Sequence, residues 1–263
     1  MYKILRSFII AVALLLTTVL IAQAGGWAVI TLDELPTQIT AGQALSIGFT
    51  VRQHGRTLRS DLKPIVRFDR ADAKESFEVT AQREGAEGHY VAEIKFPSAG
   101  QWEWQVDIEQ FGMITQPMPT LSVQVAPTQS RLLPSALILE VIRMISQMLP
   151  NKAATMTDSA QTMPLKGVAA KVIQDDQAAR GKALFIAKGC VMCHQHAKVN
   201  PDKTTFWFGD TPAPDLTVNK FTADYLRSWL KEPAAIKPKT PMPNLNLKPE
   251  EIEVLVAFLQ AAP

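Results

Sequence analysis

The spacing of apolar residues changes once along this chain of 263 residues, near Pro127, and this change constrains the fold more than any other feature. Before Pro127, apolar and polar residues alternate in short runs between glycine- and proline-containing turns. After it, apolar residues recur three or four positions apart. Alternation is typical of strands and the longer spacing of helices. We therefore predict a multidomain protein that is all-β at the N-terminus and all-α at the C-terminus.

The β-rich part is predicted to be one domain, residues 25–127. Alternating or β-branched runs predict seven short strands, at 28–32, 45–52, 65–69, 76–81, 89–96, 102–109 and 120–125. Seven strands in about 100 residues are typical of an antiparallel sandwich of immunoglobulin-like type. Along the sixth strand Trp102, Trp104 and Val106 share one face, so they are predicted to lie in the core.

The first 24 residues are predicted to be a signal peptide or a membrane anchor. Lys3 and Arg6 precede an apolar run over 7–22, and Ala22-Gln23-Ala24 matches the small-x-small pattern of a cleavage site. Cleaved or retained, this segment predicts an extracytoplasmic location. The rest of the chain would then lie in the periplasm or on the outer face of the cytoplasmic membrane, soluble or anchored at its N-terminus.

Residues 128–167 are predicted to be an apolar helix, over 132–149, followed by a linker. Glu140, Arg143 and Gln147 form a polar stripe at helical spacing, which leaves a wide apolar face. That face would pack on a domain or a partner chain, or would lie in a membrane interface. The segment is short for a bilayer span and carries two charges near its middle.

Bulk composition excludes several classes of protein. A net charge of +2 gives no electrostatic case for nucleic acid as a partner. A mean hydropathy of +0.03 excludes a protein with many membrane spans. Two cysteines are too few for a disulfide framework, so hydrophobic cores must stabilise the chain.

The two cysteines belong to one motif, Cys190-Val191-Met192-Cys193-His194. This is the signature of covalent c-type haem attachment. Thiols three residues apart can form thioethers with both vinyl groups of a haem, and the adjacent histidine is then held under the iron as its proximal ligand. A thioredoxin-like redox pair would need a βαβ context, and none is apparent. A zinc site would need further ligands, and only His196 lies nearby.

Three helices are predicted in the C-terminal domain, residues 168–263, at 175–188, 222–231 and 249–260. With the haem motif, they make this domain resemble a class I cytochrome c. The resemblance is carried by the run GKALF at 181–185 before GCVMCH at 189–194, by PDL at 214–216, by TPMPNL at 240–245 and by the final helix.

The resemblance implies an all-α cytochrome c fold with one covalently bound haem c. It implies that the Pro214 carbonyl accepts a hydrogen bond from His194 and that Leu216 packs on the haem. It also implies that Met242 is the distal ligand. Met242 lies between two prolines, which restrict the backbone, and 48 residues after His194. Ligation by His194 and Met242 would raise the reduction potential.

The sequence also predicts minor roles for one further histidine and four aromatic residues near the haem motif or on the helices. His196 is a weak rival to Met242 as a ligand. Phe206 and Trp207 are predicted to wall the haem pocket or to pack near it. Tyr225 and Trp229 are predicted to be helix-packing residues rather than haem contacts.

The β-rich half loosely resembles the small extracytoplasmic sandwiches called YtkA-like or FixH-like. The resemblance is carried by Gly88-His89-Tyr90 and by the run FPSAGQW at 96–102. Some relatives of these sandwiches bind copper, but the only candidate ligands here are His54, His89, Met113 and Met118, and no short spacing joins them. Partner docking, or a spacer role, is the favoured interpretation.

Charge is distributed unevenly between the two halves. Residues 25–127 hold 9 Lys/Arg and 13 Asp/Glu, whereas residues 128–263 hold 16 and 12. Four lysines bracket the haem motif: Lys182, Lys188, Lys198 and Lys203. They would form a basic rim that steers an acidic redox partner, an ordinary solvated surface, or a face that attracts the other half of the chain.

The sequence as a whole predicts an exported mono-haem c-type cytochrome that transfers single electrons between respiratory-type protein partners. No catalytic residue is predicted, because two protein ligands would leave the iron no open position. The alternatives are a haem-bearing subunit of a membrane-associated oxidase or dehydrogenase complex, and a haem- or metal-handling chaperone that binds through the sandwich. Membrane association is predicted through residues 1–24 or 132–149.

Overall fold

The structure is a computed structural model that describes residues 26–109, 112–126, 165–200, 213–218 and 221–261, without the side chains of residues 165–174. The predicted signal or anchor at 1–24, the predicted apolar helix at 132–149 and most of the predicted linker lie outside these residues. So do Phe206 and Trp207.

Ten strands make up the described part of the β domain: β1 (Ala28–Leu32), β2 (Ile39–Thr40), β3 (Ala44–Gln53), β4 (Thr57–Leu58), β5 (Ile65–Arg70), β6 (Ser76–Thr80), β7 (Gln82–Arg83), β8 (His89–Lys95), β9 (Gly100–Asp107) and β10 (Leu121–Gln124). All seven predicted strands are confirmed, with ends that shift by at most two residues. The other three, β2, β4 and β7, have two residues each, which is too short for an alternating pattern to reveal.

The strands form two five-stranded sheets. One has the order β1-β3-β8-β7, with β4 beside β3, and the other has the order β2-β10-β9-β5-β6. The inner faces of both sheets contribute to one hydrophobic core, including Phe49 from the first sheet and Phe68 from the second. Trp102, Trp104 and Val106 are buried in that core, which confirms the prediction made from their alternation. Trp104 stacks on Phe68 with ring centroids 5.5 Å apart.

The C-terminal part contains four α-helices in its described residues: α1 (Leu165–Ala187), α2 (Ala223–Lys231), α3 (Pro233–Ile236) and α4 (Pro249–Gln260). The prediction for α4 is confirmed at both ends. Helix α1 begins ten residues before the predicted start at 175, inside the predicted linker. Its first turns carry apolar residues at helical spacing, at 165, 168, 169, 172 and 173, but Gly167 and the β-branched residues among them have low helix propensity, so the sequence indicates a helix only weakly there. Within the described residues, none of these helices has both the length and the apolar character of a membrane span.

Glycine at position 181 lets α1 and α4 cross closely. A Cβ placed on Gly181 would lie 2.0 Å from the Val254 carbonyl oxygen and 2.6 Å from Phe258 Cβ, so any larger side chain would force the helices apart. The crossing brings the end of α1, and the cysteine motif that follows it, against the terminal helix. Helix α2 also packs on α4, and its N-terminus is capped by Thr222, whose Oγ1 accepts a hydrogen bond from Tyr225 N at 3.3 Å.

The β and helical domains share a buried junction at Lys188. Its Nζ donates hydrogen bonds of 2.9 Å to the carbonyl oxygens of Leu32 and Asp33, and forms an ion pair of 2.9 Å with Glu251. The Lys188 side chain is only 3% exposed. Lys188 therefore belongs neither to a partner-steering rim nor to a solvated surface. Of the three alternatives it fits the third, attraction between the two halves of the chain, because its charge is engaged in a buried contact between the domains. Lys182 is exposed, and Lys203 lies outside the described residues.

Candidate functional site

A cavity of about 1250 Å³ lies between the helices and the edge of the β domain. Its lining includes all six residues that the sequence singles out for a haem site: Cys190, Cys193, His194, Pro214, Leu216 and Met242. These residues come from three separate stretches of the chain. The tertiary structure brings them together around one cavity.

A tight turn presents the two cysteines. Gly189 adopts the left-handed backbone region at φ 77°, and a short 3-10 helix, Cys190–Met192, follows it. The backbone N–H of His194 donates to the Cys190 carbonyl at 2.8 Å, which closes the turn. Both cysteines line the cavity, whereas Met192 is completely buried in the helical core.

Burial holds both thiols in their neutral form. It raises the pKa of Cys190 to about 12. It raises the pKa of Cys193 to about 11, although the charge of Arg56 opposes that shift. Reactive redox thiols have lowered pKa values, so this environment argues against a thioredoxin-like pair.

The ring of His194 is oriented by Pro214. His194 Nδ1 lies 3.0 Å from the Pro214 carbonyl oxygen, which is the contact that the cytochrome c resemblance implies. When Nδ1 donates in that bond, Nε2 is the ring nitrogen that remains for a metal. Burial lowers the pKa of His194, despite the bond to Pro214, and so favours the neutral imidazole that ligates metals. Leu216 N donates to the Gln195 carbonyl at 2.8 Å and ties the Pro214 segment to the motif.

Met242 is held by a tryptophan. Trp229 Nε1 donates to Met242 Sδ at 3.0 Å, and both side chains line the cavity. Tyr225, one turn earlier on α2, lines the cavity as well and lies near-parallel to the Trp229 ring at 6.0 Å. Tyr225 and Trp229 are predicted to be helix-packing residues rather than haem contacts, yet the face of α2 that carries them meets the cavity.

His196, the weak rival ligand, is engaged elsewhere. Its ring stacks on Phe258 with centroids 4.4 Å apart, and its Nδ1 accepts a hydrogen bond from Lys198 N at 3.2 Å. The residue is 3% exposed and does not line the cavity. Packing accounts for His196 without any role in metal binding.

The residues present fit a c-type haem. The thiols of Cys190 and Cys193 line the cavity. The Nδ1 atom of His194 is engaged by Pro214, and the thioether of Met242 is held by Trp229. The remaining wall is largely apolar, including Phe185, Leu226, Leu230, Leu255 and Leu259. An apolar cavity with a few fixed polar groups is the usual form of a cofactor site.

The four candidate copper ligands lie in different environments. Met113 and Met118 are buried in the sandwich core. His89 contacts Asp33 Oδ2 at 2.8 Å and the Glu84 carbonyl at 2.7 Å, and His54 lines the cavity already described. Among the described residues there is no group of three or more His, Cys, Asp or Glu side chains that could hold a metal ion.

Sequence reasoning missed the part of the site that the β domain supplies. Trp27, His54 and Arg56 line the same cavity as the cysteines, although more than 130 residues separate them along the chain. No motif or spacing in the sequence marks these residues. The sequence favours a packing role for Trp229, because its position beside Met242 depends on how α2 packs against the loop that carries Met242.

Removing the Trp229 hydrogen bond should loosen Met242. We expect Trp229→Phe, which keeps an aromatic ring but lacks the N–H, to increase the fraction of protein with Met242 dissociated by about fivefold, as expected for a loss of about 1 kcal/mol. Optical spectra of the holoprotein over a temperature series would measure this fraction. Tyr225→Phe keeps the stacked ring and serves as the control. An unchanged fraction in Trp229→Phe would show that the hydrogen bond does not hold Met242.

Two family models match the chain, each over about a third of its length. Residues 178–263 match the cytochrome c family, and residues 20–107 match the YtkA-like family. Both resemblances noted in the sequence are thereby confirmed, as is the order of an all-β part followed by a helical cytochrome c domain. The cytochrome c match also supports the predicted cofactor, one covalently bound haem c. The exact domain boundaries stay predictions. No curated protein matches the chain.

Several solved structures are similar to about two fifths of the chain. The Lin-41 filamin domain is 16% identical over 38% of this chain and 98% of its own, with a TM-score of 0.29. The Escherichia coli adhesin FdeC is 22% identical over 37% of this chain and 31% of its own, with a TM-score of 0.28. A superoxide reductase (neelaredoxin) from Ignicoccus hospitalis is 14% identical over 40% and 86%, with a TM-score of 0.25.

Proposed function

Since residues 178–263 form a cytochrome c domain, which binds haem c covalently, we propose that this chain is an exported mono-haem carrier of single electrons between respiratory-type protein partners. One observation carries the proposal: Cys190, Cys193, His194 and Met242 line a single cavity. When bound, haem supplies one-electron redox chemistry in that cavity.

Each of the site residues has a distinct role. The sulfur atoms of Cys190 and Cys193 would hold the haem through two thioether bonds, and His194 Nε2 and Met242 Sδ would be the protein ligands of its iron. The Pro214 carbonyl oxygen accepts a hydrogen bond from His194 Nδ1 and fixes the imidazole plane. Leu216 would pack beside the cofactor. Ligation by both His194 and Met242 would leave no position for a substrate, which supports a carrier rather than a catalyst.

The location and the partners are part of the same proposal. The signal-like pattern of residues 1–24 supports export to the periplasm or to the outer face of the membrane. The helical half carries the excess of basic residues, which supports an acidic redox partner. The buried Lys188 contributes nothing to that attraction, whereas the exposed Lys182 does.

Covalent attachment tests the proposal directly. We expect Cys190→Ala combined with Cys193→Ala to abolish haem that survives denaturing electrophoresis, because both thioether bonds are lost. Each single variant keeps one bond and should retain part of the haem signal. Intact mass should show one haem per chain in the unaltered protein, and a redox titration should fit a one-electron couple.

Met192→Leu is the matched control for that experiment. It alters a buried residue inside the motif without touching either thiol, and should keep full covalent haem. Covalent haem in the double cysteine variant, or more than one haem per chain, would contradict the proposal.

A further inference from the structure

The β domain closes one side of the haem cavity. Six of its residues line the cavity: Trp27, Val29, His54, Gly55, Arg56 and Thr57. Three of them, His54, Gly55 and Arg56, form the turn between β3 and β4, where Arg56 N donates to the Gln53 carbonyl at 3.1 Å. The cavity is therefore built by both domains of the chain.

The β3–β4 turn lies directly against the attachment motif. A Cβ placed on Gly55 would lie 3.5 Å from Cys193 Sγ and 3.5 Å from the Trp27 ring, which is ordinary van der Waals distance. Gly55 has φ +70°, a conformation that side chains disfavour, and is buried. The backbone of this turn thus covers the edge of the cavity where Cys193 lies.

The position of the β3–β4 turn over Cys193 is fixed by close contacts between β1 and the two residues that precede the attachment motif, Lys188 and Gly189. A Cβ on Gly189 would lie only 2.2 Å from Val29 Cγ1 and 3.0 Å from the Ile30 carbonyl oxygen, so glycine is required for so close an approach. Next to it, Lys188 bonds to two carbonyl groups at the end of β1. The turn and the motif are thereby held in one arrangement.

Arg56 places a positive charge at this edge. Besides the main cavity, it lines a smaller adjoining one of about 440 Å³ together with Lys239, Thr240, Pro241, Met242 and Pro243. Its neighbour Gly55 packs against Cys193, and both Arg56 and Cys193 line the main cavity. Arg56 is therefore near both the second attachment cysteine and the loop of the distal methionine.

We propose that the β3–β4 turn is the outer wall of the haem site at the Cys193 edge, and that Arg56 favours the reduced state of the haem. The inference rests on the proposed placement of the haem by Cys193 and Met242. Oxidised haem carries one more positive charge than reduced haem, so a nearby guanidinium disfavours oxidation. Exclusion of water by the wall acts in the same direction, because a less polar surrounding disfavours the additional charge. The YtkA-like domain thus takes part in setting the potential of the haem.

A redox titration of the full-length holoprotein tests the role of Arg56. We expect Arg56→Gln to lower the ratio of reduced to oxidised protein at a fixed potential by about threefold, or ~30 mV at 59 mV per tenfold change. The shift should shrink as salt is added, since the site is partly exposed to solvent. Arg56→Lys keeps the charge and should restore most of the potential. Arg83→Gln removes an exposed arginine of the same domain that does not line the cavity, and should leave the potential unchanged.

Equal midpoint potentials for Arg56→Gln and the unaltered protein would overturn the inference. So would a potential in Arg56→Lys as low as that in Arg56→Gln, because charge would then not be the cause. Thermal unfolding of the three variants is measured alongside, and a loss of stability without a shift in potential would assign Arg56 a structural role only. Failure of the proposed ligation is distinguishable, since it would appear as a missing methionine-to-iron band in the unaltered protein.

Discussion

Replacing Met242 with alanine should abolish the methionine-to-iron charge-transfer band of the oxidised holoprotein. Alanine offers no ligand atom, so the sulfur that Trp229 holds in the cavity would be lost. Thioether ligation favours the reduced state, and we expect its loss to lower the ratio of reduced to oxidised protein at least tenfold, about 59 mV. The reduced variant should also bind carbon monoxide rapidly through the vacated position. Optical spectra and a redox titration would measure all three changes.

Met113→Leu is the control for that substitution. Met113 is buried in the sandwich core and does not line the cavity, so the variant should keep the band and the potential. If the band persists in Met242→Ala, Met242 is not the distal ligand. The covalent bonds to Cys190 and Cys193 should keep haem in the variant, so the spectra can be recorded.

Replacing Lys188 with methionine should uncouple the two domains. The substitution leaves Glu251, whose side chain is 12% exposed, without its buried partner, and it removes the donor that bonds to the carbonyl groups of Leu32 and Asp33. Breaking a buried ion pair by removing one member costs about 3–5 kcal/mol. In the unaltered protein we expect haem absorbance and tryptophan fluorescence to report one coincident unfolding transition in urea. In Lys188→Met the haem transition should move to lower urea and separate from the fluorescence transition.

Two further variants show whether the buried ion pair is the cause. Lys182→Met removes an exposed lysine from α1, the helix that ends one residue before Lys188, and should leave both transitions in place. Adding Glu251→Gln to Lys188→Met removes the unpaired charge and should recover part of the lost stability. A haem transition in Lys188→Met that matches the unaltered protein would show that the junction does not stabilise the cytochrome c domain.

Local patterns were sufficient for most of the elements. Alternation located the strands that carry Trp102 and Phe68, and the Pro249–Gln260 helix was predicted at both ends, because each pattern records a face that is buried along one element. The start of α1 was missed although apolar residues recur at helical spacing over 165–173, since Gly167 and the β-branched residues of that segment have low helix propensity. The two-residue strands were missed because alternation needs several residues to be visible.

The candidate site likewise has one part that local spacing predicts and another that only tertiary packing places. The spacing of Cys190, Cys193 and His194 indicates haem attachment by itself, because these residues are neighbours in the chain and their geometry is local. The contact of His194 with Pro214, at 3.0 Å, follows from a family pattern that spans only 20 residues. By contrast, Trp229 could be placed beside Met242 only by the packing of α2 against the loop.

The sequence by itself determined that this protein has an all-β part, a helical cytochrome c domain and one haem motif. Those conclusions depend on periodicity and on short spacing, which neighbouring residues impose on one another. Only the tertiary structure decided what the β domain does at the haem site. It buries Lys188 against Asp33, 155 residues away in the chain, and lays the turn at Gly55 over Cys193. Contacts over such separations depend on the docking of two preformed surfaces, and no local pattern records which surfaces will meet.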